Sequence, residues 1–191
     1  MVSGRAPAPR RDGPEVSDPE LLLRIAAGEI GALGDLYDRY RQVVRRFVAR
    51  ATSNAEDVDD LVHATFLEAA KSAGRYDGRA SCRPWLVGIA AQLLRRRHQS
   101  FGRLLAVLSS LRSTRATVSD PRPALQARSD VARALAKLSE VKRITLLMAE
   151  VEGLSCNEIA AAMEVPVGTV WTRLHAARQE LRSTMTEDGE S

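Results

Sequence analysis

Arginine carries a fork of hydrogen-bond donors that fits phosphate oxygens, and this chain concentrates arginine in one region. Three stand in a row at 95–97, and from Arg95 to Arg128 there are eight of them against Asp120 alone. Residues 51–70 show the reverse, with five carboxylates and no Lys or Arg. The net charge of +4 at pH 7 conceals this division. Such a chain is suited to two unlike partners, a polyanion for the basic stretch and a protein for the acidic one.

Side chains that carry catalysis or hold metals do not form a recognisable set. Cys82 and Cys156 lie far apart and outside any CxxC pair, and the three histidines stand singly. Gly28, Gly31 and Gly34 have the wrong spacing for a GxGxxG loop, and there is no P-loop or nucleophile–base signature. We therefore expect no enzyme activity, no cofactor and no metal site.

Compartment is indicated by hydropathy and by cysteine usage. No apolar run approaches the roughly 18 residues of a membrane span, and the N-terminal stretch does not read as a secretory signal. Two unpaired cysteines suit a reducing environment. We therefore expect a cytoplasmic protein without membrane insertion.

The stretch VPVGTVWTRLHAARQELR, from Val165 to Arg182, predicts a basic helix that opens on a tight turn. Before it, LSCNEIAAAM carries a capping box, Ser155 with Glu158 three residues later. A short capped helix, a turn of a few residues and a longer basic helix make the helix–turn–helix layout. The alternative is an ordinary helical hairpin with a solvated arginine face. Charge alone does not decide, but the cap, the turn and a small-residue outer face together favour DNA binding.

Helical phase divides the second helix of this pair into two faces. The buried stripe is expected to hold Val167, Val170, Leu174, Ala177 and Leu181. The opposite side carries short or hydrogen-bonding groups that suit base edges, and the DNA contacts expected there come from Thr169, Thr172, His175, Ala176 and Gln179. Arg173 and Arg178 project from the flanks, where phosphates run. For Trp171, partner contact, phosphate packing and partial burial stay open.

Apolar residues recur at three- and four-residue spacing along most of the chain, which predicts an all-α fold of two small domains. The expected order is a disordered tail at 1–17, a helical bundle at 18–100, a flexible basic linker at 101–126, a four-helix domain at 127–184 and a tail at 185–191. The first helix is expected to begin with Asp18 as its cap and Pro19 at its first position.

Three stretches of the first domain stand in the order and spacing typical of extracytoplasmic-function (ECF) sigma factors of bacterial RNA polymerase: DLYDRYRQVVRRFVAR, AEDVDDLVHATFLEAA and PWLVGIAAQLLRRR. The stretch LSEVKRITLLMAEVEGLSCNEIAAAMEVPVGTVWTRLHAARQELR resembles the second conserved domain of that family. The resemblance covers residues 18–184 except the linker. It implies a promoter-specificity subunit with a region 2-like bundle, a region 4-like helix–turn–helix domain that reads the −35 element, and a tether through the polymerase channel.

The resemblance also implies that the DLVHATF helix docks on the basic clamp helices of the largest polymerase subunit. The matching residues are Asp60, Leu61, Val62, His63 and Phe66. An acidic first turn that complements the helix dipole explains Glu56 and Asp57 without any partner. It does not explain Asp59 and Asp60 beside the apolar Leu61, which favours docking.

The next loop and helix, by the same resemblance, hold the non-template strand at the promoter −10 element with one base outside the stack. The matching residues are Arg75, Tyr76, Asp77, Arg79, Gln92, Arg95, Arg96 and Arg97. Three successive arginines also suit a helix C-terminus, but the basic linker after them favours contact with a single strand. Trp85 begins the apolar series WLVGIA and is expected in the core.

Four positions depart from the common family pattern. His63 stands where Gln is frequent, Ala64 where Glu is frequent, Gln92 where Asn is frequent and Arg96 where Asp is frequent. These changes bear on the −10 sequence and on clamp contacts, not on the class of protein. Regulation is expected from a separate anti-sigma factor. The competing hypothesis is a stand-alone helix–turn–helix regulator whose N-terminal bundle dimerises or senses a ligand.

Overall fold

The computed structural model describes residues 16–52, 54–78, 81–111 and 130–187, apart from the side chains of 101–111, 130–132 and 185–187. The helices are α1 (Asp18–Ala26), α2 (Ile30–Ala51), α3 (Val58–Ser72), α4 (Arg83–Leu111), α5 (Asp130–Lys137), α6 (Glu140–Glu150), α7 (Cys156–Met163) and α8 (Val167–Glu187). Short 3-10 turns, Ala55–Asp57 and Ala73–Arg75, flank α3. These ranges contain no strand, so the predicted all-α class is confirmed. None of their helices has the length and apolar character needed to cross a membrane.

The start of α1 differs from the prediction. Ser17 is the N-cap, because its hydroxyl accepts a hydrogen bond from the Glu20 N–H at 3.4 Å. Asp18 is the first helical residue instead, and Pro19 follows it. Its carboxylate is buried and turned toward other elements, so it is not available to cap the helix. Beyond the other end of α1, Gly28 has φ of +88°, a conformation that glycine adopts without strain.

The Asp18 carboxylate joins three parts of the N-terminal half. It accepts hydrogen bonds from Arg39 Nη1 at 2.7 Å, from Tyr40 Oη at 2.5 Å and from the Cys82 N–H at 2.8 Å. Burial by itself raises the pKa of Asp18, but the bonds from Tyr40, Cys82 and Arg39 together bring it below the usual value. Burial also raises the pKa of the Cys82 thiol to about 12, so this thiol stays protonated at neutral pH.

Helices α1 to α4 bury their apolar faces against one another. Among the fully buried side chains are Leu21, Leu36, Phe47, Leu86 and Leu94. α3 packs against both α2 and α4, so the acidic helix has one face in the bundle and one face outside. Each buried leucine or phenylalanine contributes roughly 1.5–3 kcal/mol relative to exposure to water.

Helices α5 to α8 form the predicted four-helix C-terminal half. The capping box of α7 is present: Ser155 Oγ accepts from the Glu158 N–H at 3.3 Å, and Glu158 Oε2 accepts from the Ser155 N–H at 2.9 Å. Glu164 caps the C-terminal end of α7 with φ of 53° in the left-handed region, and α8 begins at Val167. The core beneath this turn contains Ile159 and Met163. The helix–turn–helix layout is therefore confirmed.

α4 is longer than its sequence pattern indicated. The apolar periodicity weakens after His98, and the sequence predicts a linker at 101–126 that allows a short helix at RLLAVLSSL. In the structure α4 continues to Leu111, because the segment RLLAVLSSL holds good helix formers despite its serines. The rest of the expected linker, residues 112–126, lies outside the described residues.

The two halves of the chain pack against each other, which the sequence did not predict. α4 lies against α6 and α7, and α2 lies against α6. Within this interface Arg143 of α6 is only 3% exposed, and its Nε donates to the Ala51 carbonyl at 2.8 Å. That carbonyl lies at the C-terminal end of α2, where the helix dipole favours a cation. The described residues therefore form one body with a shared core.

Candidate nucleic-acid and protein interfaces

The five residues predicted to dock on polymerase divide between the two faces of α3. Asp60 and His63 are exposed, but Leu61, Val62 and Phe66 are buried in the bundle core. Helical phase turns these three inward. In this structure Leu61, Val62 and Phe66 hold α3 on the bundle, and of the five residues Asp60 and His63 have exposed side chains. Their docking role stays a prediction.

Leu67 extends the exposed face of α3, and the sequence interpretation missed it. Its side chain is 59% exposed and follows Asp60 and His63 in the i, i+3, i+7 phase of one helix face. A single exposed leucine is ordinary. Beside an acid and an imidazole it gives α3 a mixed surface, called here the docking face, made of Asp60, His63 and Leu67. The phase of these three positions was the signal available in the sequence.

Aromatic contacts hold His63 in place on this face. Its ring lies parallel to that of Tyr37 on α2, with 6.0 Å between centroids, and Nε2 is 3.4 Å from Tyr37 Oη. Tyr37 in turn meets Phe66 edge-on at 4.9 Å. The buried Phe66 therefore helps to position the exposed histidine, through Tyr37.

A cleft of about 460 Å³ brings together four of the residues predicted to bind the −10 strand. These are Arg75, Asp77, Gln92 and Arg96. Trp85 lines the same cleft, and its ring lies 5.2 Å from that of Tyr76. The predicted core position of Trp85 holds only in part, because the half-buried ring packs on the core while bordering the cleft. Arg79 lies outside the described residues.

The opposite wall of this cleft comes from α7 and the residue that ends it. Gln92 Nε2 donates to the Ala162 carbonyl at 2.8 Å and to Glu164 Oε1 at 3.2 Å. Arg95 Nη2 lies 4.0 Å from Glu164 Oε2. Arg97 points elsewhere and pairs with Asp57 in its own half. Two of the predicted strand-binding side chains therefore contact the C-terminal half.

The predicted faces of α8 are largely confirmed. Val170, Leu174 and Ala177 are buried, and Leu181 is partly buried against the core. Val167 was placed on the same stripe, but it is 40% exposed. It is the first residue of α8 and lies at the edge of the core, so the stripe begins one turn later.

The outer face of α8 presents the polar groups predicted for DNA contact. Thr172, His175 and Gln179 are exposed, and Thr169 and Ala176 are partly exposed. Thr172 Oγ1 donates to the Gly168 carbonyl at 2.9 Å, which orients its methyl and hydroxyl groups. Three interpretations were open for Trp171: partner contact, phosphate packing and partial burial. Its side chain is 61% exposed in this structure, which excludes burial.

The two flanking arginines of α8 have different surroundings. Arg178 is exposed and pairs with Glu150 at 2.7 Å. Arg173 faces the N-terminal half, where burial and the charge of Arg95 lower its pKa from the usual value. Arg173 Nη1 and Arg95 Nε are buried atoms without a hydrogen-bond partner among the described residues. Arg178 therefore keeps the predicted flank position, whereas Arg173 lies in the interface between the halves.

No three His, Cys, Asp or Glu side chains in the described part of the chain are grouped so as to hold a metal ion. The surfaces that the predicted residues form are the exposed face of α3, a polar cleft beside α4 lined by both arginines and carboxylates, and the outer face of α8.

Comparison with known families assigns both halves. The Sigma-70 region 2 model matches residues 36–103, and the Sigma-70, region 4 model matches residues 128–181. The RNA polymerase sigma factor CarQ of Myxococcus xanthus is 33% identical over 172 residues, which are 87% of this chain and 96% of CarQ. The ECF RNA polymerase sigma-E factor of Escherichia coli K12 is 28% identical over 179 residues, and the match covers 87% of this chain and 93% of that protein.

Solved structures show the same arrangement of helices. CnrH, in complex with the cytosolic domain of CnrY, has a TM-score of 0.60 at 25% identity, and the match covers 90% of this chain and 98% of CnrH. RpoE of Bartonella quintana, in complex with the anti-sigma factor NepR, has a TM-score of 0.61 at 19% identity, and the match covers 80% of this chain and 96% of RpoE. At this identity the match supports the fold alone. By its two matched regions and its relatives, the chain belongs to the ECF group of sigma-70 family RNA polymerase sigma factors.

Proposed function

We infer that this chain is an alternative sigma factor, which binds core RNA polymerase and directs it to promoters for transcription initiation. The observation that carries this conclusion is the presence of region 2 and region 4, in that order, in one chain. A stand-alone helix–turn–helix regulator accounts for the second region but leaves the first without a role. The protein is a regulatory factor and not an enzyme, and it acts with RNA polymerase in the cytoplasm.

The docking face of α3 is the proposed contact with the polymerase clamp. Asp60 supplies the charge that a basic helix pair attracts, and Leu67 supplies apolar area beside it. His63 lies between them in helical phase and is braced by Tyr37. Leu61, Val62 and Phe66 support this face from inside the bundle.

The cleft beside α4 is the proposed site for the −10 strand. Arg75 and Arg96 line it and suit the backbone phosphates, while Tyr76 and Trp85 supply adjacent rings. Stacking of a base on an aromatic side chain contributes about 1–3 kcal/mol, whatever the base. Polar groups such as Asp77 and Gln92 then give the cleft its sequence preference.

The outer face of α8 is the proposed reader of the −35 element. His175 and Gln179 are exposed and have the hydrogen-bonding groups that base edges require. Arg178 lies at the flank, where it exchanges Glu150 for a phosphate when DNA binds. Trp171 is exposed beside this face and is available to pack on the DNA backbone or on a protein.

A separate anti-sigma factor is the proposed regulator. RpoE of Bartonella quintana was solved with the anti-sigma factor NepR, and CnrH with the cytosolic domain of CnrY. The tagged chain, purified from its host, is expected to bring down one protein that blocks its binding to core polymerase. Recovery of the chain with polymerase subunits alone, under every growth condition, would contradict this proposal.

Run-off transcription from genomic DNA separates a sigma factor from a stand-alone regulator. Core polymerase with this chain should start transcripts at discrete sites, and core polymerase alone should not. The chain by itself should neither open a duplex nor select a palindrome. Palindromic binding without polymerase, together with no new start sites, would favour the regulator instead.

A further inference from the structure

α1 contacts both ends of the stretch between the turn Ala73–Arg75 and α4, called here the strand loop, of which residues 76–78 and 81–82 are described. At the C-terminal end of this loop, Asp18 Oδ2 accepts a hydrogen bond from the Cys82 N–H at 2.8 Å, across 64 residues of chain. At its N-terminal end, a Cβ built at Gly74 lies 3.9 Å from the Cβ of Ala26, the last residue of α1. One short helix therefore reaches the loop where it begins and where it ends.

The contact with Cys82 also fixes the start of α4. The Cys82 carbonyl accepts from the Leu86 N–H at 2.9 Å, as the carbonyl of the residue before a helix does. Ser81, next to Cys82, lines the cleft, and so does Trp85 in the first turn of α4. A displacement of Cys82 would therefore move two residues that border the cleft.

Asp18 is held in place through both of its carboxylate oxygens. Its side chain is only 5% exposed, Oδ1 accepts from Arg39, and Oδ2 is shared by the Tyr40 hydroxyl and the Cys82 N–H. Burial and the bond to Asp18 raise the pKa of Tyr40, and a side-chain hydrogen bond with Ser81 acts in the opposite direction. Hydrogen bonds to an ionised acceptor are roughly twice as strong as neutral ones, so this carboxylate is a firm point of attachment for the loop.

We propose that α1 positions the strand loop for capture of the −10 strand, with Asp18 as the positioning residue that places Cys82 and the first turn of α4. This inference rests on the proposed role of the cleft in binding that strand. Asp18 is not among the described residues that line the cleft, so it acts through the Cys82 N–H and not by touching DNA. A loop that is already ordered loses less conformational entropy when the strand binds.

Asp18→Asn tests this contact with little change of size. Asparagine has one oxygen, and the charged Arg39 competes for it better than the Cys82 N–H does, so the amide NH₂ group is left facing Cys82. The measurement is the affinity of the holoenzyme for two fragments of a promoter that run-off transcription has identified. One fragment carries a single-stranded non-template −10 segment, and the other is a duplex that ends upstream of the −10 element.

Asp18→Asn should weaken binding to the single-stranded fragment by roughly tenfold and leave binding to the duplex fragment within about twofold of wild type. Val48→Ala is the matched control, because it removes methyl groups from a fully buried site two turns along α2 from Tyr40. It should lower stability without this selective loss. Equal losses on both fragments for Asp18→Asn, or no loss on either, would overturn the proposal. A wild-type holoenzyme that binds neither fragment would instead count against the proposed function.

A cross-link at the other end of the loop gives a second test that leaves Asp18 unchanged. Ala26→Cys with Gly74→Cys, in a Cys156→Ser background, should form a disulfide under mild oxidation, because 3.9 Å lies within the Cβ separation of about 3.5–4.5 Å that disulfides require. The remaining Cys82 is buried.

The oxidised double variant should bind the single-stranded fragment within about twofold of its reduced form, because a loop that α1 already positions has no need to move away from it. Gly74→Cys alone, oxidised in the same way, controls for oxidation itself. Loss of strand binding by roughly tenfold or more on cross-linking would overturn the proposal. Failure of the two cysteines to cross-link in the folded protein would overturn it as well.

Discussion

The acidic face of α3 and the basic face of α4 belong to the same four-helix bundle, yet their surroundings differ. Asp60, His63 and Leu67 are exposed on the outer side of α3. Gln92 and Arg95 on α4 contact α7 and Glu164. In this structure the chain keeps its proposed polymerase-binding surface free while it covers part of its proposed DNA-binding surface. Of these two proposed surfaces, the one on α3 is open in this arrangement of the helices and the one on α4 is partly covered.

Asp18 joins α1 to α2 and to Cys82 just before α4, so its loss should have the largest effect. Asp18→Ala leaves Arg39, Tyr40 and the Cys82 N–H without their shared acceptor inside the bundle. Unfolding free energy should fall by about 3 kcal/mol, measured by urea denaturation. Glu20→Ala, on the exposed side of α1, is the control and should stay within about 0.5 kcal/mol of wild type. Equal stabilities for the two variants would mean that Asp18 does not organise the bundle.

Charge reversal on α3 should weaken binding to polymerase and leave the α4 face unchanged. Asp60→Arg with Leu67→Ser should weaken binding to core polymerase by roughly a hundredfold, because like charges then meet at the clamp. Affinity is measured by fluorescence anisotropy of labelled chain against core enzyme. Glu20→Arg is the control for charge reversal in the same half. A double variant that binds core enzyme as wild type does would rule out this face as the docking surface.

Single substitutions on the flank and on the outer face of α8 should distinguish a phosphate contact from a base contact. Arg178→Ala removes a phosphate contact and should weaken all −35 sequences alike, with the salt slope reduced by about one unit. Gln179→Ala should change which upstream base is preferred, by about 1–3 kcal/mol at one position. Both are measured as holoenzyme binding to a set of promoter variants at several salt concentrations. A change of sequence preference in Arg178→Ala would reverse these assignments.

Acid should destabilise the N-terminal half through the protonation of Asp18. The pKa of Asp18 is lowered in the folded chain, so its ionised form stabilises the fold above the usual carboxyl pKa of about 3.9. That contribution should be lost as pH falls below about 4 toward the folded-state pKa. The slope of unfolding free energy against pH should be smaller in Asp18→Asn than in wild type. Identical slopes would show that Asp18 does not carry this dependence.

Local features were predictable because they depend on neighbours within one or two turns. The Ser155–Glu158 capping box, the turn into α8 and the buried Val170, Leu174 and Ala177 all follow from helical phase and cap chemistry. The same reasoning failed at helix ends. Val167 belongs to the right phase but lies at the edge of the core, and α4 continues past the residues where its periodicity weakens.

Contacts between distant residues escaped the sequence interpretation. Leu61, Val62 and Phe66 match a docking motif in residue type, and their packing against the other helices buries them inside the bundle. Asp18 was expected to cap a helix, but its partners lie as far along the chain as Cys82. Periodicity identifies an apolar face without saying which other element covers it.

By itself the sequence determined an all-α chain with an acidic helix, a basic helix and a helix–turn–helix, because these are properties of spacing, charge and caps. Only the tertiary structure decided that the two halves share a core, with Arg143 reaching the end of α2 and Gln92 bonded to α7. The physical reason is that a guanidinium or an amide specifies the kind of acceptor it needs, a phosphate, a carboxylate or a carbonyl. Which acceptor it meets depends on how distant segments pack.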